Sequence, residues 1–331
     1  MNPFSYTRAY DVETALREVA SDGAAKFIAG GTNLLDLMKE FVERPGRLID
    51  ITRLALGEIR PGEDGEMRIG ALVTNTDVAY DVQVGKRYPL LSKAILAGAS
   101  AQLRNMATTG GNLMQRTRCA YFYDTATPCN KREPGTGCSA IAGFNRYHAI
   151  LGTSEHCIAV HPSDICVALA ALEAVVRVAG PGGERAIPFE EFHRLPGEMP
   201  QLDTNLRADE IITAIDLPAN GFAEHHAYLK VRDRTSYAFA LVAVAAALEM
   251  DGGTIKEARL ALGGVAHKPW RDRQAEALLH GESASRGNFE RVAEAFLSGA
   301  KGFGHNDFKV ELARRAIVRA LGQAAAGGQQ P

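Results

Sequence analysis

The sequence predicts an α+β protein of at least two domains. The chain has 331 residues, more than one hydrophobic core usually serves. Strand-like and helix-like apolar periods alternate irregularly through most of it. Near residue 226 the pattern changes to successive strands followed by successive amphipathic helices, the order of an α+β unit. Gly221 to His226 is therefore the expected boundary, between an N-terminal unit over 1–220 and a C-terminal unit over 221–324.

Taken in order, Val12, Ala15, Leu16, Val19 and Ala20 share one helical face, with Asp11 as N-cap and Gly23 as the stop. The apolar strand Lys26-Phe27-Ile28-Ala29 then runs into Gly30-Gly31-Thr32-Asn33 and a helix over Leu34 to Phe41. Exposed amides on such a turn and at a helix start suit an anion such as a pyrophosphate. The same residues also suit a plain tight turn with Thr32 or Asn33 as helix cap. Neither a Gly-x-Gly-x-x-Gly fingerprint nor a P-loop is present. Arg47 to Ile51 and Glu66 to Gly70 read as strands, followed by helical patterns near Asp77 to Val82 and Leu90 to Leu96. After a long irregular stretch, Asp164 opens a helix capped by Ser163, with Ile165, Leu169 and Leu172 on its apolar face. Val175 to Ala179 and Ile211 to Leu217 are further strands. Beyond the boundary come strands over Tyr228 to Arg232, Phe239 to Met250 and Thr254 to Leu262, with Asp251-Gly252-Gly253 as a hairpin turn. Helices near Trp270 to Leu279, Phe289 to Leu297 and Phe308 to Leu321 follow, and a disordered tail is expected over 325–331.

The irregular stretch from Ala107 to Cys166 is broken by Pro128, Pro134, Gly135, Gly137, Gly143 and Gly152. A loop of this length needs a function, or something other than a core to hold it. It carries Cys119, Cys129, Cys138 and Cys157, while Cys166 in the following helix reads as a buried structural thiol. A secreted disulfide scaffold spreads an even set of cysteines over a small domain, so clustering in a large chain points to metal or cluster ligation. Nine, eight and eighteen residues separate the four thiols. The close pair of structural zinc sites and the compact ferredoxin run are both missing, so the spacing permits either metal. His148, His156 and His161 keep a mixed cysteine and histidine zinc site open. Thr108-Thr109-Gly110-Gly111-Asn112 repeats the chemistry of the first glycine turn, and two such turns suit a long ligand with phosphates at one place and hydroxyls at another. Lys230 to Arg234 reads as an anion site or as a solvated strand end, the latter being the usual outcome. Ala266 to Arg271 is weighed in the same way.

Composition excludes other classes. A net charge of -2 lacks the basic surplus of a nucleic-acid footprint. The longest apolar run, Phe239 to Leu248, is far short of the roughly twenty residues a membrane span needs. Met1 to Arg8 shows no secretory pattern, so no export signal of its own is expected.

The segments Lys26 to Leu34, Ala107 to Leu113 and Pro162-Ser163-Asp164 resemble, in that order, the FAD-binding subunit of the xanthine dehydrogenase and aldehyde oxidoreductase family. Glu210-Ile211-Ile212, the Lys230 strand and Leu262-Gly263-Gly264-Val265 extend the resemblance over nearly the whole chain. The cysteine-bearing insertion is similar to the branch represented by bacterial periplasmic aldehyde oxidoreductases. The resemblance implies a vanillyl-alcohol-oxidase (PCMH) type FAD-binding fold, with a small lobe over about 1–55, a large lobe over about 56–220 and a cluster loop over about 115–160. A domain of the CO dehydrogenase flavoprotein C-terminal type, a three-stranded sheet with helices, would follow.

It also implies roles. Lys26, Phe27, Ile28, Ala29, Gly30, Gly31, Thr32, Asn33 and Leu34 would wrap the FAD pyrophosphate through backbone amides, Thr32 and Asn33 adding side-chain bonds. Thr108, Gly111, Asn112, Ser163 and Asp164 would form the second wall, with Ile211, Ile212 and Lys230 near the flavin. Cys119, Cys129, Cys138 and Cys157 would ligate a [4Fe-4S] cluster. No catalytic acid, base or nucleophile is expected here, because a molybdopterin-binding large subunit would oxidise the substrate. Electrons would come through a [2Fe-2S] small subunit and leave to an external acceptor, and export could follow a partner's twin-arginine signal. The contrasting readings are a zinc-stabilised scaffold protein, a self-sufficient FAD oxidase, and the FAD subunit of a xanthine- or other aromatic-hydroxylating molybdenum enzyme.

Overall fold

The computed structural model describes residues 1–327. Three strands near the N-terminus, β1 (Ser5–Arg8), β2 (Ala25–Ile28) and β3 (Arg47–Asp50), form a parallel sheet in the order β1-β3-β2. Parallel neighbours need a crossover, and helix Val12–Ala20 supplies the first, its N-terminus capped by Asp11 accepting from the Thr14 N–H at 2.6 Å. Ala15, Val19 and Ile49 form the small core beneath it. The sequence reading missed β1 because Ser5-Tyr6-Thr7-Arg8 has no buried alternation; side chains tie it in, Arg8 Nε donating to Asp50 at 2.9 Å.

The next strands, β4 (Ile59–Pro61), β5 (Met67–Gly70), β6 (Val175–Gly180), β7 (Gly183–Pro188) and β8 (Ile211–Leu217), make an antiparallel sheet in the order β4-β5-β8-β6-β7. β8 is buried at nearly every position, as a central strand should be. Its one carboxylate, Asp216, is held by Arg68 at 2.6 and 2.8 Å and by Arg177 at 2.6 Å. β4 and β7 escaped the sequence reading, the first being three residues long and the second mostly exposed. Helix Pro89–Ala97 packs on helix Asp164–Ala171, which is buried along its whole length. Ser163 caps the latter by accepting from the Cys166 N–H at 3.1 Å.

Four strands follow, β9 (His226–Val231), β10 (Val242–Asp251), β11 (Thr254–Gly263) and β12 (Trp270–Arg271), antiparallel in the order β12-β11-β10-β9. The run Val242 to Leu248 is apolar without a break because both faces of β10 are covered. Side chains alternate along a strand, so Ala245 and Ala247 face the core that holds helix Asp164–Ala171. Val242, Val244, Ala246 and Leu248 face the core of the C-terminal helices. Those helices are Arg273–Ala277, Arg286–Phe296 and Phe308–Ala325. Two expectations change here. The sheet has a fourth, two-residue strand, and Trp270-Arg271 belongs to it, so the first helix begins only at Arg273, after its cap Asp272.

The stretch from Ala107 to Cys166 is not wholly irregular. It contains the short helices Thr109–Leu113, Ala120–Tyr123 and Ser139–Ala142 and a bridge pairing Cys129 with Cys138. Of the expected tail, Ala325 still belongs to the last helix and Gly327 ends the described residues; the remainder lies outside them. Among the described residues no helix is long and apolar enough to cross a membrane.

Candidate functional site

A cavity of about 1170 Å³ lies between the small sheet, the large sheet and the sheet that begins with β9. One wall is the turn leaving β2, where Lys26, Phe27, Ile28, Ala29, Gly30, Gly31, Thr32, Asn33 and Leu34 all line the space. The opposite wall is Thr108, Gly111 and Asn112 with Ser163 and Asp164. Ile211 and Ile212 of β8 and Lys230 of β9 close it. Segments far apart in the chain thus meet at one opening.

Two glycines make the first wall possible. Gly31 takes φ +69, a left-handed conformation that a side chain disfavours. A Cβ on Gly30 would stand 1.8 Å from the Met106 carbonyl oxygen, so only glycine lets the two walls come this close. The backbone N–H groups of Gly30, Gly31, Thr32 and Asn33 have no protein acceptor among the described residues. Four such donors in succession form a cradle for an anion.

Many of the polar side chains here hold the walls themselves. Asn33 Oδ1 accepts from the Arg116 N–H at 2.8 Å, joining the first wall to the cysteine-bearing stretch, and its Nδ2 donates to Asp36 at 3.3 Å. Thr108 caps helix Thr109–Leu113 through the Gly111 N–H at 3.2 Å, so the second glycine pair is a helical turn rather than an open loop. The Ser163 hydroxyl donates to Asn112 Oδ1. Asp164 accepts from Lys230 Nζ and from the Tyr228 hydroxyl, both at 2.7 Å. With the side chains of Lys230 and Asp164 only 4% and 8% exposed, this is a buried ion pair, whereas Asp233 and Arg234 further along are exposed, as the solvated strand end weighed for Lys230 to Arg234 would have it. Removing either partner would strand a charge, a loss of about 3–5 kcal/mol.

Beside the large cavity is a small void lined by Cys119, Cys129, Cys138 and Cys157. All are free thiols, and Cys129 and Cys157 are buried. Backbone N–H groups point at the sulfurs: those of Tyr121 and Phe122 at Cys119, those of Ala140, Ile141 and Ile158 at Cys138, and that of Ala159 at Cys157 at 3.4 Å. Burial pushes the Cys119 thiol up to about 12. The Cys157 S–H donates to Cys138, which holds the Cys138 thiol below its ordinary value and Cys157 above it. Convergent sulfurs with amide donors suit a metal centre held by thiolates, and binding would release the protons that burial keeps on Cys119 and Cys157.

The nearby histidines do not join them as ligands. His156 contacts Glu198 at 2.9 Å. His148 Nε2 lies 3.1 Å from Cys119 Sγ and stands on the large-cavity side. His161 belongs to a separate buried group with Cys166 and His193, whose ligand atoms lie within 4.8 Å of one another. His161 Nδ1 accepts from the Ser163 N–H at 3.4 Å, so the neutral ring carries its proton on Nε2 and offers no lone pair there. Cys166 is fully buried, and burial raises its thiol to about 12, as a structural thiol should show.

Sequence reasoning missed the link between the two sites. Buried Lys131 and half-buried Arg116 share Asp203, Arg116 Nε donating at 2.7 Å, and Arg116 also reaches Glu43 at 2.6 Å. These partners are more than seventy residues apart in sequence, and no local signal announces them. Ala266 to Arg271 is structural, with Ala266 and His267 buried and Lys268 donating to the Glu190 carbonyl at 2.8 Å.

Comparison with known proteins gives a consistent set of likenesses. The family described as FAD binding domain in molybdopterin dehydrogenase matches residues 2–220, and the CO dehydrogenase flavoprotein C-terminal domain matches residues 226–324. The chain is 50% identical over 327 residues to the aldehyde oxidoreductase FAD-binding subunit PaoB of Escherichia coli, covering 98% of this chain and 99% of that one. Among solved structures, carbon monoxide dehydrogenase from Hydrogenophaga pseudoflava aligns with a TM-score of 0.77 at 27% identity, covering 98% of each chain. Quinoline 2-oxidoreductase from Pseudomonas putida aligns at 0.75 and 25%, again over 98% of each chain.

Proposed function

Because the chain belongs to the FAD-binding subunits of the molybdenum hydroxylase family, we propose that it is the electron-transfer subunit of an aldehyde oxidoreductase whose substrate is oxidised on a partner chain. The observation that carries this reading is the meeting of both expected walls at one cavity, with all four clustered thiols around an adjoining void. FAD fits the larger space through the amide cradle at Gly30 to Asn33, which suits a pyrophosphate. Asn112 and Ser163 hold one another in the second wall, and the Lys230, Asp164 and Tyr228 group fixes the floor beside Ile211 and Ile212. When bound, FAD supplies an electron acceptor, while the protein supplies binding and orientation.

Cys119, Cys129, Cys138 and Cys157 would hold a [4Fe-4S] cluster, which supplies a one-electron centre when bound. Four thiolates, three of them with N–H donors on their sulfurs, meet its requirements, and no histidine lines the void. The partners are a molybdopterin-binding large subunit and a [2Fe-2S] small subunit, with an external acceptor such as a ferredoxin. The aldehyde assignment follows the likeness to PaoB. Likeness of the inserted segment to the periplasmic branch supports export on a partner's signal.

The substitution Cys129→Ser tests the division of labour between the two sites. It should abolish iron binding and slow one-electron acceptors while flavin stays bound. Loss of flavin together with iron would make the cysteine segment a structural element instead, and stoichiometric zinc in the unaltered chain would favour the scaffold reading.

A further inference from the structure

Of the four clustered thiols, only Cys119 lines both the large cavity and the thiol void. Its side chain is part of the partition between the two sites. His148 stands on the large-cavity side of that partition and does not line the void. Its Nε2 lies 3.1 Å from Cys119 Sγ.

The ring has little else to do. His148 is 5% exposed, and its backbone is fixed independently of the imidazole: the N–H donates to Asn145 O at 3.0 Å, and the carbonyl accepts from Lys309 Nζ at 2.9 Å and from Asn306 Nδ2 at 3.3 Å. Nδ1 is buried with no hydrogen-bond partner. A neutral imidazole has one N–H, and a metal-bound thiolate can only accept, so the proton belongs on Nε2 and the bare nitrogen is Nδ1. The sulfur is then the ring's one polar partner. Hydrogen bonds to the sulfurs are among the features that set the potential of an iron-sulfur centre, because they favour its more negative, reduced form.

We infer that His148 donates Nε2–H to the Cys119 thiolate and thereby raises the reduction potential of the iron centre on its flavin-facing side. It is a positioning residue that acts through Cys119. The inference rests on the reading of the four thiols as [4Fe-4S] ligands. The amides of Tyr121 and Phe122 also point at Cys119 and remain when the imidazole is removed, so the variants isolate the histidine.

The test uses the assembled complex carrying wild-type, His148→Phe or His148→Gln chain. Iron and flavin are quantified first, and potentials are then read by EPR-monitored titration. Wild type should hold about four irons per chain beyond those of the [2Fe-2S] small subunit, as a cubane requires. His148→Phe should keep both cofactors, but at the wild-type midpoint its reduced-to-oxidised ratio should fall about tenfold, equivalent to about 59 mV for a one-electron couple. His148→Gln, which retains an N–H donor, should recover most of this shift, and the flavin midpoint should move in neither variant. In wild type labelled with ¹⁵N-histidine, pulsed EPR of the reduced centre should show coupling to one imidazole nitrogen. Full iron with an unchanged midpoint in His148→Phe would overturn the inference and leave the cluster reading intact. Should that variant lose its iron, absence of ¹⁵N coupling in wild type would overturn it alone. A wild-type complex with no iron beyond that of its small subunit would overturn the cluster reading and the inference together.

Discussion

At the scale of single residues, the flavin cavity depends on what is missing from Gly30. The Met106 carbonyl occupies the space a Cβ would need, so Gly30→Ala must push the two walls apart. Overpacking of this kind costs about 1–3 kcal/mol, which corresponds to a loss of about tenfold or more in flavin affinity. The variant should therefore fold with a native circular dichroism spectrum and be purified largely free of flavin; full flavin content would remove Gly30 from the binding wall. Residues of distinctive chemistry, such as paired glycines and clustered cysteines, were legible in the sequence for this reason. Asn33 and Ser163 were legible as wall residues, but not in what they hold, because their hydrogen bonds reach 83 and 51 residues along the chain. The bond between His148 and Cys119 was equally hidden, since a histidine in a loop carries no sign of its partner.

Among the elements, the cysteine-bearing stretch is the least self-supporting. Its helices Ala120–Tyr123 and Ser139–Ala142 are four residues each, and the cluster around its first thiols is small, Leu37, Phe122 and Cys129 with a few half-buried neighbours, while Ile150 and Leu151 reach the core of the C-terminal helices. Regular elements this short do not persist alone, and on the proposed reading a metal held by the four thiols would supply the main tie. Removing iron by chelation under reducing conditions should open limited proteolysis between Cys119 and Cys138 while leaving the strands of the large sheet resistant. Unchanged resistance would mean that Arg116, Lys131 and Asp203 hold the stretch by themselves. Strands with strong apolar patterns, such as β8 and β10, were readable from periodicity. The polar edge strands β1 and β7 were not, because pairing to a neighbour rather than burial defines them. Trp270-Arg271 was read as helical because an apolar residue before an amphipathic run resembles a helix start until the cap at Asp272 is seen.

Across the whole molecule, the three sheets were inferable as two units from the change in pattern near His226, but their meeting around one cavity was not. Helix Asp164–Ala171 brings them together by burying every face, which alternation alone does not announce. The same close packing buries neutral histidines. Burial lowers His193, His226 and His267 to about 4, from an ordinary value of 6.5. Between these values the unfolded chain binds more protons than the folded one. Their contribution to stability is therefore complete above about pH 6.5 and is lost as pH falls toward 4, at about 1.4 kcal/mol per unit for each histidine. The melting temperature should be nearly flat from pH 7 to 8 and fall steeply from 6.5 to 4. A flat profile down to pH 5 would mean that these rings are charged or solvated in the native state.

The most direct measurement is an anaerobic absorption spectrum of the purified protein before and after dithionite, with flavin, iron, sulfide and zinc quantified on the same sample. One flavin and about four irons per chain, with flavin bands above a broad shoulder that bleaches on reduction, is the expected result. Flavin without iron would contradict the assignment of the four thiols, and zinc without flavin would contradict the assignment of both sites.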